Sequence, residues 1–284
     1  LEFVLGVNRP VIHTSVHQPR DDKFPGLTLF IFGQYFNRHD AWAEMAKPWV
    51  DYLSRNSYLL QQGRNAADIG YFIGEEAPLT TLKDTKQLED VPTRYAYDFV
   101  NNDALFEALS NDGNEIVAKG GARYKALYLG GSSRKMTLAT LKRLAALAEG
   151  GATIIGAKPE GSPSLSHDAA EYDALVAKLW SGSDATQIGA GRVIASKNIE
   201  AALSDMGVGA QFHYLGAGAD ASIPFVQRKL ADGDSFFLVN QKDRTETIEA
   251  RFRVTGKTPE IWRAETGKAE AVSYRIENGE TIVP

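Results

Sequence analysis

The sequence predicts a multidomain α/β protein, because three stretches with different patterns follow one another. Residues 1–77 alternate short β-rich runs with one long helical pattern, which is typical of the C-terminal part of a (β/α)8 barrel. Residues 78–215 repeat strand–loop–helix–strand units, which predicts a Rossmann-like or flavodoxin-like domain. Residues 216–284 alternate apolar and polar side chains with period two, which predicts an incomplete antiparallel β-sandwich.

The composition limits the classes of function. Of the 284 residues, 43% are hydrophobic and 24% are charged, as in ordinary globular proteins. A formal net charge of -5 without a large basic cluster gives no reason to expect nucleic-acid binding. No apolar run approaches the ~18 residues of a membrane span. The absence of cysteine excludes disulfides and cysteine nucleophiles, and it is compatible with the cytoplasm or with an oxidising compartment.

The β-rich runs of the first stretch are "FVLG", "PVIHTSV" and "AADIGYFIG". Each is short and rich in β-branched or aromatic residues, so each predicts a strand. The last of them ends at the acidic pair Glu75 and Glu76. Strands separated by a long loop and a helix predict the end of a β/α barrel.

A long helix is predicted between these strands, over "AWAEMAKPWVDYLSRNSYLLQQG". Asp40 is the expected N-cap and Gly63 the expected residue after the helix. Pro48 should kink the helix or mark the start of its regular part. An apolar stripe at helical spacing predicts core positions at Trp42, Met45, Trp49, Tyr52 and Leu53.

The second stretch has the clearest helix signals. Thr137 is the expected N-cap of "LATLKRLAALAEGG", and Gly150 and Gly151 are expected to end that helix. The buried-looking run "ATIIGA" follows as a strand, and "GRVIAS" with "NIEAALSDMG" repeats the unit. Such units predict parallel strands joined by right-handed crossovers.

The third stretch contains "SFFLVNQ", "TIEARFRV", "EIWRA" and "AEAVSYRIENGETIVP". Their Gly-Lys, Thr-Gly and Asn-Gly pairs predict tight turns between antiparallel strands. The last strand is expected to run into the C-terminus without a closing partner. Since the first run also starts abruptly at residue 1, we expect a chain that begins within a barrel and ends within a sandwich.

Several common catalytic and cofactor motifs are missing. The loop "LGGSSRKMT" lacks the glycine spacing of a dinucleotide fingerprint and the Gly-Lys-Ser/Thr of a phosphate loop, so a structural turn is the expected reading. No Gly-x-Ser-x-Gly elbow is present. Zinc binding by His13, His17 and His39 is disfavoured, because two residues four apart on a strand lie ~13 Å from each other.

Polar residues nevertheless gather in the first stretch. His13, His17 and His39 lie there together with Asn37 and Arg38, which favours a polar pocket over three separate core histidines. Glu75 and Glu76 follow a strand end, where barrel enzymes place catalytic groups. Adjacent residues on an extended chain point to opposite faces, so the pair cannot by itself flank one bond. Both remain weak catalytic candidates, and a solvated turn is the alternative.

Longer segments of the chain resemble a known family. They are "GVNRPVIHTSVHQP", "GQYFNRHDAWAEMAKPWVDYLSRNSYLLQQG", "ADIGYFIGEEAP", "YKALYLGGSSRKMTLATLKRLAALAEGGATIIG" and "FRVTGKTPEIWRAETGK". In this order they resemble the family 106 glycoside hydrolases, the α-L-rhamnosidases. The resemblance implies a (β/α)8 barrel, an accessory α/β domain and β-sandwich modules. It also implies inverting hydrolysis of terminal α-L-rhamnose, with calcium as a possible cofactor.

Under this resemblance the predicted strand "VIHTSVHQP" would deliver polar side chains to a sugar pocket. Neutral imidazole and amide groups suit hydroxyl recognition, because they offer donors and acceptors at fixed angles. The expected substrate-binding residues are His13, His17, Gln18, Arg38, His39, Trp42 and Tyr71, the last two as apolar walls. Family members are several times longer, and the catalytic carboxylates are expected upstream of this chain. The chain alone is therefore expected to be inactive as an enzyme.

Two other functions stay open from the sequence. One is a related barrel glycosidase for a different sugar, and the other is a non-catalytic carbohydrate-binding or scaffold protein. The expected partner in each case is a carbohydrate, with no nucleic acid and no membrane span, and the oligomeric state is open. A periplasmic or extracellular location is expected, with the cytoplasm as the alternative. The metal site and the sugar itself are not fixed by the residues.

Overall fold

The computed structural model describes residues 1–13, 15–32, 36–75 and 90–284. Its helices are α1 (Lys47–Leu60), α2 (Asn102–Glu107), α3 (Leu138–Glu149), α4 (Ala169–Leu179) and α5 (Ile199–Asp205), with short 3-10 helices at Phe30–Phe32 and Ala43–Met45. Its strands are β1 (Arg64–Asn65), β2 (Ile69–Gly74), β3 (Tyr97–Val100), β4 (Leu109–Asp112), β5 (Glu115–Ala118), β6 (Arg123–Tyr124), β7 (Ala126–Ser132), β8 (Thr153–Ile155), β9 (Ala185–Ile188), β10 (Gly191–Ile194), β11 (Phe212–Leu215), β12 (Phe225–Lys229), β13 (Asp234–Leu238), β14 (Glu249–Phe252), β15 (Glu260–Arg263), β16 (Lys268–Ala271), β17 (Arg275–Glu277) and β18 (Glu280–Val283).

The described residues before Arg64 form no strand, so the strands predicted from "FVLG" and "PVIHTSV" are wrong. Residues 1–6 form turns instead, and residues 11–20 are irregular. Val11 is 90% exposed and Ile12 is 47% exposed. A β-branched run favours extended backbone, but a strand also needs a neighbouring strand to pair its N–H and C=O groups. The described part of the chain supplies no such neighbour here and shows no closed barrel.

Helix α1 begins at Lys47 rather than after Asp40, because Pro48 occupies its first turn. The structure therefore confirms the prediction that Pro48 marks the start of the regular helix. The carboxylate of Asp40 instead accepts hydrogen bonds from the backbone N–H (3.1 Å) and side-chain amide (2.8 Å) of Asn37. The prediction of core positions along the apolar stripe is wrong, because none of its five residues is buried and Met45 is 71% exposed.

The end of α1 is fixed against strand β12. Gly63 has a φ of +59°, and a Cβ at this position would lie 2.1 Å from the carbonyl oxygen of Lys229. Arg228 donates hydrogen bonds to the carbonyl oxygens of Gln62 and Gly63, each at 2.9 Å. The glycine is therefore required both by its backbone conformation and by the close approach of the two elements.

A six-stranded sheet has the order β3-β2-β7-β8-β10-β9, and all its neighbours are parallel except β9 and β10. Numbered along the chain, the parallel strands have the order 2-1-3-4-5, one of the two common orders of doubly wound sheets. Strand β2 lies inside this sheet between β3 and β7, so the prediction of a barrel strand at "AADIGYFIG" is wrong. Its residues 69–72 are buried, as expected for a strand covered on both faces.

Helix α3 confirms the prediction from its sequence. The Thr137 hydroxyl accepts the N–H of Thr140 at 3.2 Å, which caps the helix. Gly150 is the C-terminal cap, and Gly151 follows with a φ of +116°. The predicted strands "ATIIGA" and "GRVIAS" form β8 and β10, and α5 follows β10. Local signals therefore suffice to predict this part of the chain.

The core lies on both faces of the six-stranded sheet. One cluster contains buried side chains of alternating strand residues such as Leu127 and Leu129 together with residues of α3 and α4. The other contains Ile69, Tyr71 and Tyr128 together with residues of α5. The alternation follows from the period of two along a strand, and it makes this sheet the best-buried part of the molecule.

The C-terminal strands are antiparallel, as the sequence predicts. Strands β11, β14, β18 and β17 form one sheet, β15 and β16 form a hairpin, and β12 pairs with β1 and β13. Asn278 and Gly279 have φ values of 51° and 82° at the turn between β17 and β18, which fits an Asn-Gly hairpin turn. Strand β18 pairs with both β14 and β17, so the expectation of an unpartnered last strand is wrong.

A buried polar network connects the six-stranded sheet to the antiparallel strands. The Gln211 side chain accepts the N–H of Ala96 at 2.7 Å and donates to the Gln227 side chain at 2.6 Å. Asp68, just before β2, pairs with Arg253, just after β14, at 2.5 Å. Burial raises the pKa of Asp68, and the Arg253 guanidinium offsets only part of this effect.

Candidate functional site

Gln18 is held by the loop that follows it. It is 5% exposed, its side-chain oxygen accepts the N–H of Leu27 at 2.8 Å, and its nitrogen donates to the carbonyl oxygen of Leu27 at 2.8 Å. The oxygen and the nitrogen of the Gln18 side-chain amide are thus both paired with the backbone of Leu27. The role of Gln18 in substrate binding stays a prediction.

Arg38 lies next to Gln18 in space. Its guanidinium donates to the carbonyl oxygen of Gln18 at 2.7 Å and to the carboxylate of Asp21 at 2.7 Å. Arg38 and Asp21 lie 17 positions apart in sequence, so their ion pair closes the loop between them. Gln18 and Arg38 are therefore neighbours in the structure, while their roles in substrate binding stay predictions.

His39 completes this cluster. Its side chain is 3% exposed, and its Nε2 lies 3.8 Å from a carboxylate oxygen of Asp21. The Phe24 ring contacts the imidazole edge-to-face at 4.9 Å between centroids. Nε2 has no hydrogen-bond partner within the described part of the chain. A buried, unpartnered ring nitrogen is costly unless a further group pairs with it.

We define the N-terminal polar cluster as Gln18, Asp21, Phe24, Arg38 and His39. Asp21 and Phe24 were not predicted as site residues. Asp21 stands in an acidic pair within a proline-containing loop, and nothing local in the sequence indicates that it faces Arg38. The contact depends on how the loop folds back, which sequence spacing alone does not specify.

His13 and His17 do not join the N-terminal polar cluster. Both are exposed, and neither makes a hydrogen bond to the cluster. The expected strand would have set them on one face, but the backbone here is irregular. Their roles in substrate binding therefore stay predictions.

Trp42 belongs to an aromatic cluster with Phe36 and Trp49. The rings of Phe36 and Trp49 are stacked at 5.6 Å, and Trp42 contacts both edge-to-face at 5.5 and 6.0 Å. Trp49 is 41% exposed and Trp42 is partly buried. A partly exposed aromatic cluster of this kind can present a ring face to an apolar group.

Tyr71 does not form a pocket wall. It is 0% exposed within β2, and its hydroxyl donates to Asp90 at 2.5 Å. Tyr128, its neighbour on β7, donates to the other oxygen of Asp90 at 2.8 Å. Burial is the main cause that raises the pKa of Tyr71 well above its usual range, and the hydrogen bond to Asp90 is the second cause. The prediction for Tyr71 is wrong because its strand lies inside the six-stranded sheet.

Glu75 caps helix α3. One carboxylate oxygen accepts the backbone N–H of Thr137 at 2.8 Å, and the other accepts the Thr137 hydroxyl at 3.1 Å. A carboxylate at a helix N-terminus is stabilised by the unpaired N–H groups and by the helix dipole. The position that a phosphate takes in many doubly wound folds is thus filled by a side chain of the protein. Glu76 lies outside the described residues.

Large exposed apolar side chains concentrate in the first 50 residues. Phe24 is 73% exposed, Phe30 84% and Ile31 76%. Others in this segment are Val11, Ile12, Leu27, Leu29, Met45, Trp49 and Val50. Large apolar side chains exposed in such number are compatible with a surface that contacts further protein.

Neither a metal-ligating cluster nor a membrane-spanning helix is found among the described residues. The described residues contain no group of three or more His, Asp or Glu side chains placed to hold a metal ion. No chemical step is assigned to calcium. None of the described helices has the length and apolar character to span a membrane.

The two side-chain clusters together indicate the kind of ligand that this region suits. The N-terminal polar cluster and the neighbouring aromatic cluster combine hydrogen-bonding groups with ring faces, on an α/β protein with an antiparallel C-terminal part. Such a combination suits an uncharged ligand rich in hydroxyl groups.

Comparisons with known proteins assign the family. The profile of glycoside hydrolase family 106, described as α-L-rhamnosidase, matches residues 1–276. A solved rhamnosidase from Novosphingobium sp. PP1Y is 57% identical with a TM-score of 0.93, covering 100% of this chain and 27% of that one. A Formosa agariphila protein provisionally named β-glucuronidase is 35% identical over 287 residues, covering 98% of this chain and 23% of its own. The chain belongs to glycoside hydrolase family 106.

Proposed function

We propose that this chain is part of an α-L-rhamnosidase that hydrolyses terminal α-L-rhamnose from glycans or glycosides. The observation that carries the proposal is the family match over residues 1–276. The 57% identity to a solved rhamnosidase supports the sugar as well as the reaction class. The chain spans about a quarter of the length of these relatives, so the activity is proposed for the whole protein.

The reaction is proposed to invert the anomeric configuration. One carboxylic acid protonates the leaving oxygen and a second carboxylate activates water on the opposite face of the sugar. Glu75 is not proposed as either group, because both of its oxygens accept hydrogen bonds from Thr137. We propose that the catalytic pair is supplied by the part of the family architecture that this chain does not include.

This chain is proposed to contribute sugar-binding groups. The unpartnered Nε2 of His39 can accept or donate one hydrogen bond to a sugar hydroxyl, depending on its tautomer. Arg38 beside it and the ring of Trp42 are proposed as further contacts. His13 and His17 are proposed to turn toward the same pocket once the rest of the protein packs on the N-terminal residues.

The architecture is proposed to be a barrel, a flavodoxin-like domain and a β-sandwich in this order. The exposed apolar side chains before residue 51 support the barrel, because further barrel elements would cover them. The strand order 2-1-3-4-5 supports the flavodoxin-like domain. We propose that the first domain boundary lies before Ile69, because β2 belongs to the six-stranded sheet. An extracellular or periplasmic location is proposed, since secreted glycans are the expected substrates.

A second candidate function is favoured by one comparison. The Formosa agariphila relative carries the name of a β-glucuronidase, which would act on an acidic sugar. Recognition of a carboxylate would call for a cationic pocket. Arg38 is the cation of the N-terminal polar cluster, and its charge is already paired with Asp21. This pairing favours a neutral sugar.

The proposal is tested by hydrolysis of p-nitrophenyl α-L-rhamnoside and p-nitrophenyl β-D-glucuronide. A longer chain that adds the preceding family residues is expected to cleave the rhamnoside, and this chain alone is expected to be inactive. Activity of the longer chain on the glucuronide alone would contradict the assigned sugar. Activity of this chain alone would contradict the placement of the catalytic pair.

The pocket assignment is tested in the longer chain by His39→Ala. We expect kcat/KM for the rhamnoside to fall at least about tenfold, since a buried hydrogen bond to substrate is lost. His167→Ala is the matched control, because His167 is exposed and lies on the loop before α4. An unchanged kcat/KM in His39→Ala would remove His39 from the pocket.

A further inference from the structure

A cavity of about 340 Å³ lies beside edge strand β3. It is bounded by residues 3–8 on one side, by β3 and the residues before it on a second, and by β12 on a third. The volume is at the lower end of the ~300–1,000 Å³ found for small-molecule sites. None of the residues proposed for the sugar pocket lines it. The cavity is therefore a separate feature of the chain.

Aromatic residues form part of its wall. Phe3, Tyr97 and Phe99 line the cavity, and the Tyr97 and Phe99 rings contact each other at 5.2 Å. Phe3 is fixed by edge-to-face contacts with Tyr52 and Phe237 at 6.5 and 5.9 Å. Rings held in place by other rings offer apolar surface with little loss of conformational entropy on binding.

Its polar groups are positioned by hydrogen bonds before any ligand arrives. Asp98 accepts hydrogen bonds from Asn65 at 2.6 Å and from Tyr124 at 2.9 Å, one at each carboxylate oxygen. Each of these oxygens has a second lone pair that can accept from a ligand hydroxyl. The Arg228 guanidinium is oriented by the carbonyl oxygens at the end of α1.

The charges in the cavity balance. Asp98 supplies one negative charge and Arg228 one positive charge, and the attraction of Asp98 partly offsets the lowering of the Arg228 pKa by burial. Asp98 would repel an anion, and Arg228 would repel a cation. A neutral ligand keeps both charges compensated.

We propose that this cavity binds one neutral sugar residue and serves as a carbohydrate-binding site separate from the catalytic pocket. Sugar rings expose C–H faces that pack on aromatic rings, and their hydroxyls pair with carboxylate, amide and guanidinium groups. The bound residue is not cleaved, because the cavity holds one carboxylate where hydrolysis needs two. The proposal does not depend on rhamnosidase activity.

The test measures binding of L-rhamnose to the 284-residue chain by titration calorimetry, with D-glucuronate as the acidic probe. Saturable binding of L-rhamnose on the order of millimolar Kd is expected, with no binding of D-glucuronate. Val226→Phe fills the cavity from β12 and should weaken L-rhamnose binding at least about tenfold. Tyr97→Phe removes one hydroxyl from the wall and should weaken it about threefold to tenfold.

Leu215→Phe is the matched control, because Leu215 is 51% exposed and lies outside the cavity. It should bind L-rhamnose as the unmodified chain does, and thermal unfolding should show that all three variants fold. No saturable binding, or preference for D-glucuronate, would overturn the proposal. Loss of binding in His39→Ala with full binding in Val226→Phe would assign the sugar to the N-terminal polar cluster and would also overturn it.

Discussion

The residues before Arg64 and the six-stranded sheet differ in how much of their structure is determined within this chain. In the sheet, Leu127, Ile154 and Tyr71 are completely buried, and the four inner strands pair with neighbours on both sides. In the N-terminal residues, large apolar side chains are exposed and no strand forms in the described part. The sheet buries its core within this chain, whereas many large apolar side chains of the N-terminal residues are exposed.

The largest expected effect is a difference between the two regions in the loss of unfolding free energy caused by one substitution in each. Leu127→Ala should lower the free energy of unfolding by about 3 kcal/mol, because it opens a cavity in a fully buried core. Phe30→Ala removes a larger side chain, yet it should change the free energy by less than about 0.5 kcal/mol, because Phe30 is 84% exposed. Urea denaturation of both variants measures the difference.

Leu165→Ala is the control for the leucine substitution, since Leu165 is fully exposed. It should leave the urea midpoint unchanged. A loss of several kcal/mol in Phe30→Ala would show that the N-terminal residues are packed within this chain, and the comparison between the regions would fail. Light scattering should in addition show weaker self-association of Phe30→Ala, because it reduces the exposed apolar surface.

A second prediction concerns the connection between the sheet and the antiparallel strands. Arg253→Ala leaves Asp68, which is 7% exposed, without its guanidinium partner. We expect a loss of about 2 kcal/mol in the free energy of unfolding at pH 7. The surface pair of Arg275 with Glu249 is the control, and Arg275→Ala should leave the urea midpoint close to that of the unmodified chain.

The pH dependence of Arg253→Ala sharpens this prediction. Burial already raises the pKa of Asp68 above its usual value, and removing Arg253 should raise it further. A carboxyl whose pKa is higher in the folded state binds a proton more tightly there, so its contribution to stability falls as the pH rises through the range between the two pKa values. The deficit of Arg253→Ala should thus be smaller at pH 4 than at pH 7. A deficit equal at both pH values would contradict a charged, unpaired Asp68.

The same difference between regions explains what sequence could predict. Thr137, Gly150 and the apolar face between them specify α3 locally, so its bounds agree with the prediction. The run "PVIHTSV" has strand-forming residues, but pairing depends on partners elsewhere, and β2 was assigned to the wrong sheet for the same reason. At the candidate site, the sequence assigns Gln18 and Arg38 to one pocket, whereas the contact with Asp21 depends on how the loop folds back.

The smallest expected effect distinguishes a structural Glu75 from a catalytic one. Thr137→Ala removes the hydroxyl that caps α3 and binds Glu75, and it should cost about 1 kcal/mol in unfolding free energy. Glu75→Gln keeps the shape but loses the charge at the helix N-terminus, and it should cost about 0.5 kcal/mol. Thr137→Ser, which keeps the hydroxyl, is the control and should stay close to the unmodified chain.

Activity decides between the two roles of Glu75. If Glu75 only caps α3, kcat/KM of the longer chain for p-nitrophenyl α-L-rhamnoside should stay within about twofold in Glu75→Gln. A catalytic acid or base replaced by an amide would instead lose several powers of ten. Thr137→Ala provides the reference, because it disturbs the same helix end while leaving the carboxylate in place. A large loss of kcat in Glu75→Gln alone, with Thr137→Ala fully active, would identify Glu75 as a catalytic residue.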